Sequence, residues 1–134
     1  MKDSTNGQSN GWGGRTVQSI LIVDDNKAAA QALADLLAVD GYKVNTAHEG
    51  DQAVALADQL EPDVIILDVD LPDKDGYEVA RTLRKKNSRA LLIALTGYYG
   101  RKEDKAKARS AGFDHHLTRP VLVTEIEKLF SPPR

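Results

Sequence analysis

Short apolar runs alternate five times with helical segments along this chain, and that alternation constrains the fold more than any other feature. The runs are SILIVD (19–24), KVNTA (43–47), DVIILDV (63–69), ALLIALT (90–96) and HHLT (115–118). The helical segments that follow them are 26–42, 50–61, 76–86, 101–112 and 124–130. Parallel strands need a long connection between them, and a helix usually provides it. The alternation therefore predicts a doubly wound α/β fold, with a five-stranded parallel sheet, helices on both faces and right-handed crossovers.

The first helical segment carries its own start and stop signals. Asn26 is placed to cap the N-terminus and Gly41 to cap the C-terminus. The apolar residues at helical spacing, which we expect to face the core, are Ala29, Leu33, Leu36 and Leu37.

Length and charge restrict the class of protein. The chain has 134 residues, 18 of them basic and 20 acidic, which suits one domain and gives no reason to expect a nucleic-acid or membrane partner. It has no cysteine and no apolar run that would cross a bilayer or form a signal peptide, so we expect a cytoplasmic protein. The segment 1–17, rich in Gly, Asn and Ser, is predicted to be a flexible N-terminal tail, 18–131 the folded domain and 132–134 a C-terminal tail.

Polar side chains follow the apolar runs at their carboxyl ends, where open parallel sheets bind ligands. They are Asp24 and Asp25 after the first run, Asp68 and Asp70 after the third, Thr96 after the fourth and Arg119 after the fifth. Carboxylates gathered at one edge repel each other unless a hard divalent cation such as Mg²⁺ neutralises them. A hydroxyl and a fixed cation beside that metal suit the oxygens of a phosphoryl group. The pattern therefore predicts phosphoryl transfer onto a carboxylate.

Simpler roles are open for some of these residues. Asp24 and Asp25 also suit helix capping, and Thr96 taken alone is common at strand ends. Asp68 ends an apolar run, where a lone charge would be costly, so we expect a cation close to it.

Four motifs in a fixed order resemble the receiver domain of bacterial two-component response regulators. They are ILIVDDN, IILDVDLPDKDGYE, LIALTG and AGFDHHLTRPV, and the resemblance extends from Ser19 to Phe130. It implies a flavodoxin-like sheet with strand order 2-1-3-4-5. It also implies a domain that catalyses its own phosphorylation and dephosphorylation, either free-standing or part of a hybrid histidine kinase.

The resemblance also implies roles for single residues. Asp68 would be the phosphoacceptor. Asp25, Asp68 and the backbone carbonyl of Asp70 would bind Mg²⁺, and Asp24 would support the ion through water. Thr96 would donate a hydrogen bond to the phosphoryl oxygens. The donor would be a histidine kinase or a histidine phosphotransfer protein. Phosphorylation would repack the surface of the fourth helix, fifth strand and fifth helix, where an unidentified output partner binds; homodimer formation is left open.

The run HHLTRP departs from the family pattern. Neighbouring strand residues point to opposite faces, so His115 and His116 are not expected to share a metal. His116 occupies the position of the aromatic switch residue, and Arg119 that of a lysine. The resemblance implies a cis Arg119–Pro120 bond. We expect the planar guanidinium fork to hold the unphosphorylated pocket more tightly than a lysine would.

Two other functions compete with a working phosphoacceptor. A degenerate receiver, locked by Arg119, would only bind proteins, and absence of phosphorylation would favour it. The DVD motif at 68–70 also resembles the nucleophile loop of haloacid dehalogenase-type phosphatases, although that family has this loop after its first strand.

Tyr98 is predicted to shield the phosphoryl group from water.

Overall fold

The computed structural model describes residues 16–86, 88–97 and 102–130, in which strands and helices alternate. The strands are β1 (Ser19–Val23), β2 (Lys43–Ala47), β3 (Val64–Asp68), β4 (Leu91–Thr96) and β5 (His115–Thr118). The helices are α1 (Lys27–Val39), α2 (Gly50–Leu60), α3 (Gly76–Lys85), α4 (Lys102–Ala111) and α5 (Val123–Glu127). The predicted tails lie outside the described residues, except for positions 16 and 17.

The strands form one parallel sheet in the order β2-β1-β3-β4-β5, as predicted. The central strands β3 and β4 are buried along their whole length, because helices cover both faces of the sheet. Their largely aliphatic sequences, VIILD and LLIALT, suit that environment.

Alternate residues of each strand pack into two separate cores. On one face Ile65, Leu67 and Leu92 pack against α2, α3 and α4. On the other face Ile66 and Ile93 pack against α1 and α5. The sheet is therefore sandwiched between two helical layers, which leaves the carboxyl ends of its strands along one edge.

The buried face of α1 agrees with the prediction at Leu37, which is buried, and at Leu33, which is half-buried against the core, and differs from it at Ala29 and Leu36. Ala30, Ala34 and Leu37 are buried, whereas Ala29 is exposed and Leu36 is 57% exposed. Alanines at 28–30, 32 and 34 make several faces of this helix similarly apolar, so the pattern alone does not determine its rotation. Packing against the sheet selects the face.

The ends of α1 agree with the prediction. Asn26 accepts a hydrogen bond from the N–H of Ala29 at 3.0 Å. Gly41 follows the helix with φ of +99°, a conformation in which glycine has no Cβ penalty.

Helix α5 is shorter than predicted. It ends at Glu127, and the next residues form turns in which Leu129 N–H bonds to Ile126 and Phe130 N–H to Glu127. The ring of Phe130 packs edge-on against Tyr42 at 5.6 Å, which anchors this turn in the core. Among the described residues, no helix is long and apolar enough to span a membrane.

Candidate functional site

Three carboxylates meet at the carboxyl edge of the sheet. Asp24 and Asp25 follow β1, and Asp68 ends the neighbouring strand β3, with Val23 paired to Leu67. One oxygen from each carboxylate lies within 4.8 Å of the others. Asp24 and Asp68 are 5% and 4% exposed, whereas Asp25 is open to solvent. We call Asp24, Asp25 and Asp68 the acidic cluster.

The electrostatics of Asp68 reflect its burial. Loss of solvent raises the pKa of its carboxyl above the ordinary value, and the negative charge of Asp24 adds to this. The N–H of Asp70, 2.8 Å from Asp68 Oδ1, and the positive charge of Arg119 act in the opposite direction. The cost of burying the negative charge of Asp68 is therefore only partly offset by Asp70 and Arg119.

The cation expected beside Asp68 is Arg119. Its Nη2 lies 2.8 Å from Asp24 Oδ2 and 3.4 Å from Asp68 Oδ2, so it bridges both buried carboxylates. Burial acts to lower the pKa of Arg119, but the charges of Asp68 and Asp24 outweigh it and the pKa is raised. The shorter contact is to Asp24 rather than to the predicted partner Asp68. The Arg119–Pro120 peptide is cis, as predicted.

The acidic cluster offers ligands suited to Mg²⁺, which prefers carboxylate oxygens and retains several waters. Asp24 Oδ1 accepts the N–H of Asn26 at 2.9 Å, and that bond fixes the orientation of the carboxylate. Asp70 lies next to the cluster through its N–H bond to Asp68. Arg119 supplies only one positive charge to three carboxylates, so the residues present fit a divalent cation.

Thr96 is also at this edge, at the end of β4, and is 3% exposed. Its Oγ1 lies 3.2 Å from His116 Nε2 and 3.5 Å from the carbonyl oxygen of Leu117.

His116 and His115 pair with Ala94 and Ile93, which belong to opposite cores, so the two rings point to opposite faces as predicted. Neither histidine joins a potential metal cluster within the described residues. Tyr98 lies outside the described residues.

Two polar contacts at the site were not predicted from sequence. His48 Nδ1 lies 2.9 Å from the backbone carbonyl of Asp24; a carbonyl only accepts, so Nδ1 carries the proton. Asp73, in the loop after β3, accepts the N–H groups of Gly50 and Asp51 at 2.7 and 3.2 Å and so caps α2. Both contacts join segments more than twenty residues apart, and no local sequence signal marks them.

The cap also affects the pKa of Asp73. The hydrogen bond from Gly50, followed by that from Asp51, lowers the pKa of its carboxyl. The loop between β3 and α3 is thereby attached to the start of α2, next to the acidic cluster.

A cavity of about 570 Å³ lies elsewhere, between the C-terminal ends of α2 and α3. Its lining includes Asp58, Glu61, Lys86 and Arg89 and no member of the acidic cluster. The chemistry of the carboxyl edge is therefore separate from this cavity.

A family model described as the response regulator receiver domain matches residues 20–131. Probable transcriptional regulatory protein TcrX of Mycobacterium tuberculosis is 34% identical over 108 residues, which cover 81% of this chain and 46% of that protein. Cell cycle response regulator CtrA of Brucella ovis is 35% identical over 107 residues, covering 80% and 46%. The chain thus spans about half the length of these relatives.

Solved structures share the fold. Chemotaxis response regulator CheY4 of Vibrio cholerae superposes with a TM-score of 0.78 at 28% identity, covering 85% of this chain and 99% of that one. A response regulator of Burkholderia pseudomallei, solved with a phosphorylated aspartic acid, calcium ion and citrate, has a TM-score of 0.76 at 30% identity. That match covers 81% of this chain and 64% of the other.

Proposed function

The chain belongs to the response regulator receiver domain family of two-component signalling, and from this premise we propose that Asp68 accepts a phosphoryl group from a histidine kinase or a histidine phosphotransfer protein. The observation that carries the proposal is the acidic cluster, in which Asp24 and Asp68 are buried and Asp25 is open to solvent. Buried carboxylates placed close to each other and to a fixed cation are typical of active sites, where such groups take part in the reaction.

The transfer itself is a substitution at phosphorus. One oxygen of Asp68 forms a bond to phosphorus while the bond to the donor's histidine nitrogen breaks, and the electron pair of that bond stays with the nitrogen. The positive charge of Arg119 and the hydroxyl of Thr96 would stabilise the negative charge on the phosphoryl oxygens. Water then attacks phosphorus, the bond between phosphorus and the Asp68 oxygen breaks, and inorganic phosphate leaves while the carboxylate is regenerated.

The divalent ion belongs to this proposal. Mg²⁺ would be held by Asp25, Asp68 and the backbone carbonyl of Asp70, with Asp24 supporting it through water, and when bound it would neutralise charge on the carboxylates and the phosphoryl group. The Burkholderia pseudomallei neighbour, whose description includes both a phosphorylated aspartic acid and a calcium ion, supports this assignment.

The surface formed by α4, β5 and α5 would respond to phosphorylation. Thr96 ends β4 and His116 lies on β5, so a change at the phosphoryl group reaches this surface through two adjacent strands. An output partner would bind there preferentially in the phosphorylated state.

Phosphorylation is tested by incubating the protein with acetyl phosphate and Mg²⁺ and measuring its intact mass. We expect the mass of one phosphoryl group to be added to the parent and not to Asp68→Asn. Asp70→Asn is the matched control: it keeps the backbone carbonyl, so it should still be phosphorylated. No addition to the parent protein, or addition to Asp68→Asn, contradicts the proposal.

A degenerate, phosphorylation-independent binding module is the second candidate. The bridge from Arg119 to Asp24 and Asp68 favours it, since this guanidinium already occupies the carboxylates that the metal and phosphoryl group need. The same mass measurement separates the two: a parent protein that takes no phosphoryl group, together with an Arg119→Lys variant that does, would favour the binding module.

A further inference from the structure

Thr96 and His116 are diagonal neighbours on one face of the sheet. Ala94 pairs with His116 and Thr96 pairs with Thr118, and alternate residues of a strand share a face. His115 pairs with Ile93 and points to the other face. The contact of 3.2 Å between Thr96 Oγ1 and His116 Nε2 is therefore supported by the strand register.

The hydroxyl of Thr96 has one proton to donate and two lone pairs with which to accept. If His116 Nε2 lacked a proton, Thr96 would donate to it, and no hydroxyl proton would remain for a phosphoryl oxygen. If Nε2 carries a proton, it donates to Thr96 Oγ1 and leaves the hydroxyl proton for another acceptor. In this structure that acceptor is the carbonyl oxygen of Leu117, whose 3.5 Å distance makes a weak bond that is easily exchanged.

We propose that His116 is a positioning residue for phosphorylation: its Nε2–H donates to Thr96 Oγ1 and directs the hydroxyl proton towards the phosphoryl group on Asp68. The inference rests on the proposed function and adds to it a residue that acts through Thr96. A phenylalanine of similar size at position 116 would fill the same space without donating a hydrogen bond.

The first test needs no phosphorylation. In protein labelled with ¹⁵N-histidine, the ring-nitrogen NMR signals of His116 should show a proton on Nε2. Thr96→Val should shift the Nε2 signal of His116 and leave that of His115 unchanged. An unprotonated Nε2 in the parent protein, or a His116 signal that does not respond to Thr96→Val, overturns the inference whether or not Asp68 is phosphorylated.

The second test measures the rate of phosphorylation by acetyl phosphate. We expect His116→Phe to slow it about two- to tenfold, the effect of one neutral hydrogen bond, and His116→Gln, which retains an N–H donor, to recover part of the rate. In a Thr96→Val background the His116→Phe change should have no further effect, because the bond is already absent. His115→Phe, on the opposite face, is the control and should match the parent.

The outcomes separate the two hypotheses. A parent protein that takes no phosphoryl group contradicts the proposed function, while the NMR result still decides the hydrogen bond. A phosphorylated parent whose rate is unchanged by His116→Phe, or slowed equally with and without Thr96, contradicts the positioning role.

Discussion

At the scale of single residues, Arg119 determines how firmly the unphosphorylated pocket is held. Within the described residues its ion pairs to Asp24 and Asp68 are both made by one nitrogen, Nη2, and not by the two-nitrogen fork expected from the sequence. We predict that Arg119→Lys accelerates phosphorylation by acetyl phosphate about three- to tenfold, the equivalent of weakening one charge-assisted hydrogen bond. The spectral change of His116 on phosphorylation should also become larger. A lysine variant that reacts no faster than the parent would show that the guanidinium does not restrain the pocket.

Asp73 provides a residue-scale test with a defined pH dependence. Because its folded-state pKa is lowered, ionised Asp73 stabilises the fold above its unfolded pKa of about 4, and that stabilisation is lost as pH falls through the lowered value. Asp73→Asn should therefore lower the thermal unfolding midpoint at pH 7 and have a diminishing effect in acid. Asp58→Asn, an exposed control at the other end of α2, should not lower the midpoint. A difference that stays constant with pH would contradict the charged cap.

At the scale of elements, the junction between β3 and α3 needs a residue without a side chain. A Cβ on Gly76 would lie 2.4 Å from Val69 Cα and 2.7 Å from the carbonyl oxygen of Asp68, and these backbone atoms cannot turn away. We predict that Gly76→Ala lowers the free energy of unfolding by about 1–3 kcal/mol, measured by urea denaturation. Gly97→Ala is the control, since no atom of the described residues lies within 4 Å of a Cβ placed at position 97. Equal stabilities of the two variants would show that the junction adapts.

At the scale of the whole molecule, metal binding and folding should be linked. Mg²⁺ relieves repulsion within the acidic cluster, which only the folded chain brings together. At ten times its dissociation constant, Mg²⁺ should add about 1.4 kcal/mol to the free energy of unfolding. Melting curves at matched ionic strength should shift upwards with Mg²⁺ in the parent and not in Asp25→Ala. An unchanged parent midpoint would exclude the metal site.

Most of the architecture was predictable because the signals that define it are local. Each apolar run and each helical segment is a pattern in consecutive residues, and parallel strands place their carboxyl ends at one edge whatever the loops do. That rule places Asp24, Asp25 and Asp68 at one edge of the sheet, and the strand order implied by the family resemblance makes β1 and β3 neighbours. The opposite orientation of His115 and His116 follows from the alternation of side chains along a strand.

The rotation of α1, the preference of Arg119 for Asp24 and the bond between Thr96 and His116 were decided only by the tertiary structure. Several faces of α1 are apolar, so the sheet had to select one of them. Arg119 and Asp24 are 95 residues apart, and Thr96 and His116 are 20 apart. Hydrogen bonds act over about 3 Å, so contacts of this kind depend on the packed positions of whole strands and helices, which no local pattern of residues encodes.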